Sequence, residues 1–183
     1  MVAVVLILMG FYAWVGYRAL HPNVSPHYRD YFIERSVSDW LPSHYAARPE
    51  DGFDFVRPGL PEFVASIRGV SDREAFGRWS DARRGAAAAV VFVAPIEGTV
   101  CLGLALLPAP WQVGHPVAVS LDGMRQEFVP AREESQWFWA TFVLAEPASE
   151  LLIEPSAPAA PAQKVPGSTD RRLLGVALQR LVL

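Results

Sequence analysis

Apolar and polar positions follow three different rhythms along the chain. From Val2 to Tyr17 no residue is charged, and Arg18 closes the run. Such a stretch predicts a helix, and about 20 residues at ~1.5 Å rise span the roughly 30 Å of a bilayer's hydrocarbon core. Leu6, Leu8 and Phe11 belong to this expected anchor. Trp14 and Tyr17 lie near one end, where amphipathic rings favour the headgroup layer, and Arg18 can reach water there. No Lys or Arg precedes the run and no Ala-x-Ala site follows it, so the pattern fits an uncleaved anchor better than a secretory signal. Gly10 and Gly16 are small residues at which another membrane helix can approach.

The second rhythm is helical. Ser25-Pro26 is a helix start, with Ser as cap and Pro in the first turn. Beyond it Tyr28, Tyr31, Phe32, Val37, Trp40 and Leu41 fall near helical spacing, Arg29, Asp30, Glu34 and Arg35 supply a polar side, and Pro42 stops the run. The spacing predicts a short amphipathic helix over about residues 27–41. Its aromatic side either packs on the chain's own domain or meets the membrane interface or a partner subunit. Residues 42–61 carry Pro42, Pro49, Pro58 and Pro61 with Gly52 and Gly59, and read as linker, with Phe53 and Phe55 placed to form a short edge strand.

From Glu62 the period becomes that of strands. Apolar runs bounded by Gly, Pro or Asp recur at 63–67, 87–93, 100–107, 117–121, 125–129, 137–144, 151–153 and 174–183. Asp122-Gly123 between two of them predicts a type I′ hairpin. In the last run Leu174, Val176 and Leu178 alternate, and the pattern breaks at Gln179-Arg180 before resuming with Leu181 and Leu183. The expected fold is mostly β, an antiparallel, jelly-roll-like β-sandwich over residues 62–183, preceded by the anchor at 1–20 and the linker at 21–61. Ser71 to Arg84 is polar and reads as loop or a single helical turn, and Ser156 to Gly167 as an exposed loop.

Composition narrows the functional classes. The net charge is −3 with both signs interspersed, which leaves no footprint for nucleic acid. Lys164 is the only lysine among 16 basic residues, and with the many Ala, Pro and Gly this points to a GC-rich bacterial genome. A single cysteine, Cys101, rules out an internal disulfide and, within an apolar run, reads as a small buried hydrophobe. His21, His27, His44 and His115 fall in no metal spacing, and there is no nucleophile elbow and no phosphate loop. The reading is of a non-enzyme without cofactor.

Aromatic residues carry the remaining signal. Along Trp137-Phe138-Trp139 successive side chains point to opposite faces of a strand, so each face receives a large ring. One face fills the core, and the other is left for the linker helix, a second protein or a ligand. Trp111, between Pro110 and Gln112, reads as a ring at a loop tip that either stacks on a ligand or caps the end of its own sandwich.

The stretch Ala75-Phe76-Gly77-Arg78-Trp79-Ser80-Asp81, together with Asp170-Arg171-Arg172-Leu173-Leu174-Gly175-Val176-Ala177-Leu178, resembles a family of small β-sandwich domains of unknown function appended to bacterial inner-membrane proteins of cell-surface glycan pathways. The resemblance covers roughly residues 59–183. The family's pattern often continues Ser-Asp-Gly, whereas Ala82 and Arg83 follow Asp81 here, so the turn differs. It implies that Trp79 enters the core and that Arg78 and Asp81 pair or close the turn. No catalytic residue carries over.

These readings lead to a non-catalytic, single-pass accessory or scaffolding subunit of a larger bacterial inner-membrane complex. Its expected partners are the bilayer and integral membrane subunits, as in glycan synthases, secretion machines or photosynthetic reaction-centre–antenna complexes. Arg18, Arg29 and Arg35 after the anchor argue for a cytoplasmic domain, and the sandwich itself for a periplasmic one, which is the placement adopted. The alternative is a membrane-anchored glycan-binding sandwich that uses Trp111, Trp137 or Trp139 as stacking platforms. Candidate contacts are Gly10, Gly16, Tyr28, Tyr31, Phe32, Trp40, Trp111, Trp137 and Trp139.

Overall fold

The computed structural model describes residues 2–20 and 44–183. A helix, α1 (Val2–Leu20), comes first. Its described side chains begin at Leu8, and among the described residues no helix is long and apolar enough to cross a membrane. The expected amphipathic helix, with Tyr28, Tyr31, Phe32 and Trp40, lies outside the described residues.

Twelve strands follow among the described residues: β1 (His44–Tyr45), β2 (Phe53–Asp54), β3 (Leu60–Pro61), β4 (Val64–Arg68), β5 (Arg78–Asp81), β6 (Ala88–Ile96), β7 (Thr99–Pro108), β8 (Val117–Leu121), β9 (Met124–Phe128), β10 (Gln136–Val143), β11 (Ala148–Pro155) and β12 (Leu174–Val182). One antiparallel sheet runs β10-β7-β12, with β2 and β5 sharing the far edge of β12. The other runs β4-β6-β11-β8-β9, and β1 and β3 form a short parallel pair. The sheets share one core. Leu102, Leu104, Leu106, Phe142, Leu178 and Leu181 enter it from the first, and Ile67, Val90, Val119, Leu121, Leu151 and Ile153 from the second. The chain is therefore mostly β and built of antiparallel sheets in a sandwich, as its period-two patterning predicts.

Local chemistry explains several joints. Asp122 (φ 48°) and Gly123 (φ 72°) both take the left-handed region that a type I′ turn demands, and β8 and β9 pair directly across them. The break in alternation at Gln179-Arg180 is a bulge. The register of β12 against β7 shifts there, so Leu178 and Leu181, three positions apart, both point inward.

Three regions differ from the sequence reading. The short edge strand expected around Phe53 and Phe55 forms as β2, but within the sandwich and not the linker: both residues are in the core with rings 4.6 Å apart, and Arg180 and Leu181 pair with Asp54 and Phe53. The sandwich thus takes in residues from 44 onward, because its core needs those two rings. The polar stretch 71–84 contains strand β5 rather than only loop or a helical turn. Its residues pair with β12 and place Arg78, Ser80 and Asp81 in buried positions, where polar groups mask the strand signal. Within 156–167, Pro161–Lys164 forms one helical turn, α2.

Candidate recognition face

The two segments that carry the resemblance, Ala75 to Asp81 and Asp170 to Leu178, meet in space. Leu174 pairs with Asp81, Ala177 with Trp79, and Leu178 with Arg78. Gly77 (φ 146°) lies so close to β12 that a Cβ there would sit 2.2 Å from the Leu178 carbonyl oxygen. Asp81 Oδ1 accepts hydrogen bonds from the backbone N–H groups of Arg83 and Leu173, so the carboxylate closes the turn and ties it to the start of β12. Ser80 Oγ accepts from the Val176 N–H. Trp79 does not enter the core. It is half-buried and packs edge-to-face on Phe76 at 5.7 Å, because strand alternation sends Arg78 and Ser80 to the more enclosed side. Nearby, Arg172 holds Asp170 through its guanidinium and reaches Glu74 at 2.7 Å. The hydrogen bonds from Arg172 hold the Asp170 carboxyl below the usual range, with burial opposing them. These residues staple strands together, and their chemistry is architectural.

Trp111 is also tied into the fold. It sits in the short turn Pro110–Gln112 and is half-buried, and its indole Nε1–H donates to the Leu174 carbonyl at 2.8 Å. Gln112 beside it is fully buried, donates to the carbonyls of His115 and Pro116, and accepts from the Ala157 N–H. The ring caps the end of its own sandwich, one of its two expected places.

Trp137 and Trp139 are placed differently. Both project from the outer face of β10, 49% and 58% exposed, while Phe138 between them turns inward and stacks on Phe128 at 4.6 Å. The two indoles stand 5.3 Å apart at an interplanar angle of 16°, a parallel-displaced stack. Trp139 lies over Gly103 of β7, where a Cβ would come within 2.5 Å of the ring. Glycine at 103 is what lets the indole lie against the sheet.

Across β7 the face turns polar. Ala105 pairs with Trp137 on one side and Arg180 on the other, and Arg180 pairs in turn with Asp54. Arg180 Nε stands 3.7 Å from Asp54 Oδ1, and Ser135 Oγ is hydrogen-bonded to Gln179. The row is therefore indole, small side chain, guanidinium, carboxylate. Cys101 lies on the same face opposite Thr141 and is exposed, contrary to its sequence reading, because strand alternation puts it in line with Gly103 rather than with Leu102. Cys101 also borders a groove of about 740 Å³ whose apolar lining includes Phe63, Phe92, Val93, Ile96 and Leu183. Among the described residues no group of three or more His, Cys, Asp or Glu is placed to hold a metal ion.

Fold and face together define a β-sandwich module with a solvent-exposed tryptophan stack on one sheet. The chain belongs to the family described as a domain of unknown function, DUF7024, whose model matches residues 41–183. That match begins close to β1 and includes the strands that the linker reading left outside the domain. No curated protein matches the chain.

Proposed function

We propose that the chain is a non-catalytic accessory subunit of a bacterial inner-membrane assembly, seated in the bilayer by α1 and carrying the Trp137–Trp139 face of a periplasmic sandwich as its recognition surface. The observation that carries this reading is the exposed stack itself. Two indoles half open to water are costly to leave uncovered, and tryptophan is enriched where a surface is buried on binding. The helix supports the other half. Leu8, Met9, Phe11, Tyr12, Trp14, Val15, Tyr17 and Leu20 are all exposed around it, and a helix apolar on every side needs apolar surroundings. The space above Gly10 and Gly16 is open, which leaves room for a partner's helix.

The test is mild-detergent extraction of the full-length chain from native membranes, with mass spectrometry of what accompanies it. The expected result is recovery in the membrane fraction with integral membrane proteins at fixed ratio. Recovery of the chain alone and monodisperse, or in the aqueous fraction, overturns the proposal.

A further inference from the structure

We infer that the outer face of the β10-β7-β12-β2 sheet is a saccharide-binding site. The inference rests on the reading of this face as a recognition surface and names its ligand class. The centre strand contributes only Gly103 and Ala105 between the tryptophans of β10 and the polar residues of β12 and β2. With strands ~4.8 Å apart, the backbones of Trp137 and Arg180 lie about 10 Å apart, and the Trp139 ring lies over Gly103 between them. One side of the face is an aromatic platform, and the other holds Arg180, Asp54 and Gln179.

A pyranose ring matches both sides. Its axial C–H groups carry partial positive charge and pack on the negative face of an indole, while its hydroxyls are donors and acceptors on the rim. Arg180 can only donate and Asp54 only accept, so the pair complements two neighbouring hydroxyls, each both donor and acceptor. Their separation of 3.7 Å exceeds a hydrogen bond, so a diol can bridge them without breaking one. A purely apolar partner would strip water from this guanidinium and carboxylate and offer no hydrogen bond in return, which is costly. The arrangement of a flat apolar platform with a few convergent polar groups is what fixes a polar ligand's orientation.

The experiment is a printed array of bacterial and plant glycans probed with the full-length chain in lipid nanodiscs. Three forms are compared: the wild type, Trp139→Ala and Val143→Ser, the last an exposed position on β10 beyond the tryptophan pair. Near-ultraviolet circular dichroism confirms that the wild type retains its tryptophan stack and that the variants are folded. The expected result is retention of at least one glycan class by the wild type and by Val143→Ser, with at least a tenfold loss in Trp139→Ala. Arg180→Ala is expected to weaken the same glycan severalfold. Retention of no glycan by a folded wild type, or equal retention by Trp139→Ala, overturns the inference. If the array stays empty while Trp137 and Trp139 are shielded in native membranes, the saccharide assignment falls and the recognition face stands. If the rings are unshielded as well, both fall.

Discussion

At the scale of single residues, two glycines have opposite jobs. Gly77 combines a φ of 146° with a Leu178 carbonyl where its Cβ would go, and backbone cannot step aside. Gly77→Ala is expected to cost roughly 2–3 kcal/mol in denaturant unfolding, from strain and a displaced β12. Gly103 meets only the end of an exposed indole. Gly103→Ala is expected to leave the melting temperature almost unchanged but to erase the near-ultraviolet signal of the Trp137–Trp139 stack, since Trp139 must lift off the sheet. An unchanged spectrum would show that the glycine has no part in holding the ring. Asp170 gives a pH signature. Its carboxyl titrates below its ordinary value because Arg172 hydrogen-bonds the charged form, so its stabilisation is complete above about pH 4 and is lost as pH falls through the lower folded value. Asp170→Asn is expected to flatten the acid limb of a stability-versus-pH curve without steepening it near neutrality.

At the scale of elements, the test is whether residues 44–61 are sandwich or linker. Phe55 is almost fully buried beside Phe53, and its N–H bonds the Gln179 carbonyl. Phe55→Ala is expected to cost about 3–5 kcal/mol, a core-cavity penalty that a linker residue would not show in urea unfolding. The long strands were legible because period-two alternation and turn chemistry coincide in them: Asp122-Gly123 announces its hairpin, and the break at Gln179-Arg180 announces its bulge. β5 was not, because its inward positions are Arg78 and Ser80, and polar residues satisfied by tertiary hydrogen bonds leave no hydrophobic pattern to read. β2 was legible as a short edge strand, from Phe53 and Phe55 alternating with Asp54, but its place in the sandwich was not. So short a run among prolines and glycines does not reveal its partner, and it is the pairing with β12 that carries the two rings into the core. The candidate face was half visible. Trp137 and Trp139 stand out in the sequence, but the polar side of Arg180 and Asp54 depends on a register between residues 126 positions apart that no local pattern encodes.

At the scale of the whole molecule, the described residues are an apolar helix and a sandwich with an exposed aromatic face, and the proposal is that the helix tethers the chain while the sandwich recognises a partner. The central claim is that the Trp137–Trp139 face is covered by another molecule where the protein works. Oxidative footprinting addresses this most directly. Trp137 and Trp139 are compared in native membranes and in the purified full-length chain, with half-buried Trp111 as internal reference. The account predicts that both tryptophans are oxidised readily in the purified protein and are shielded severalfold in membranes, while Trp111 changes little. Equal oxidation of Trp137 and Trp139 in the two preparations would contradict it.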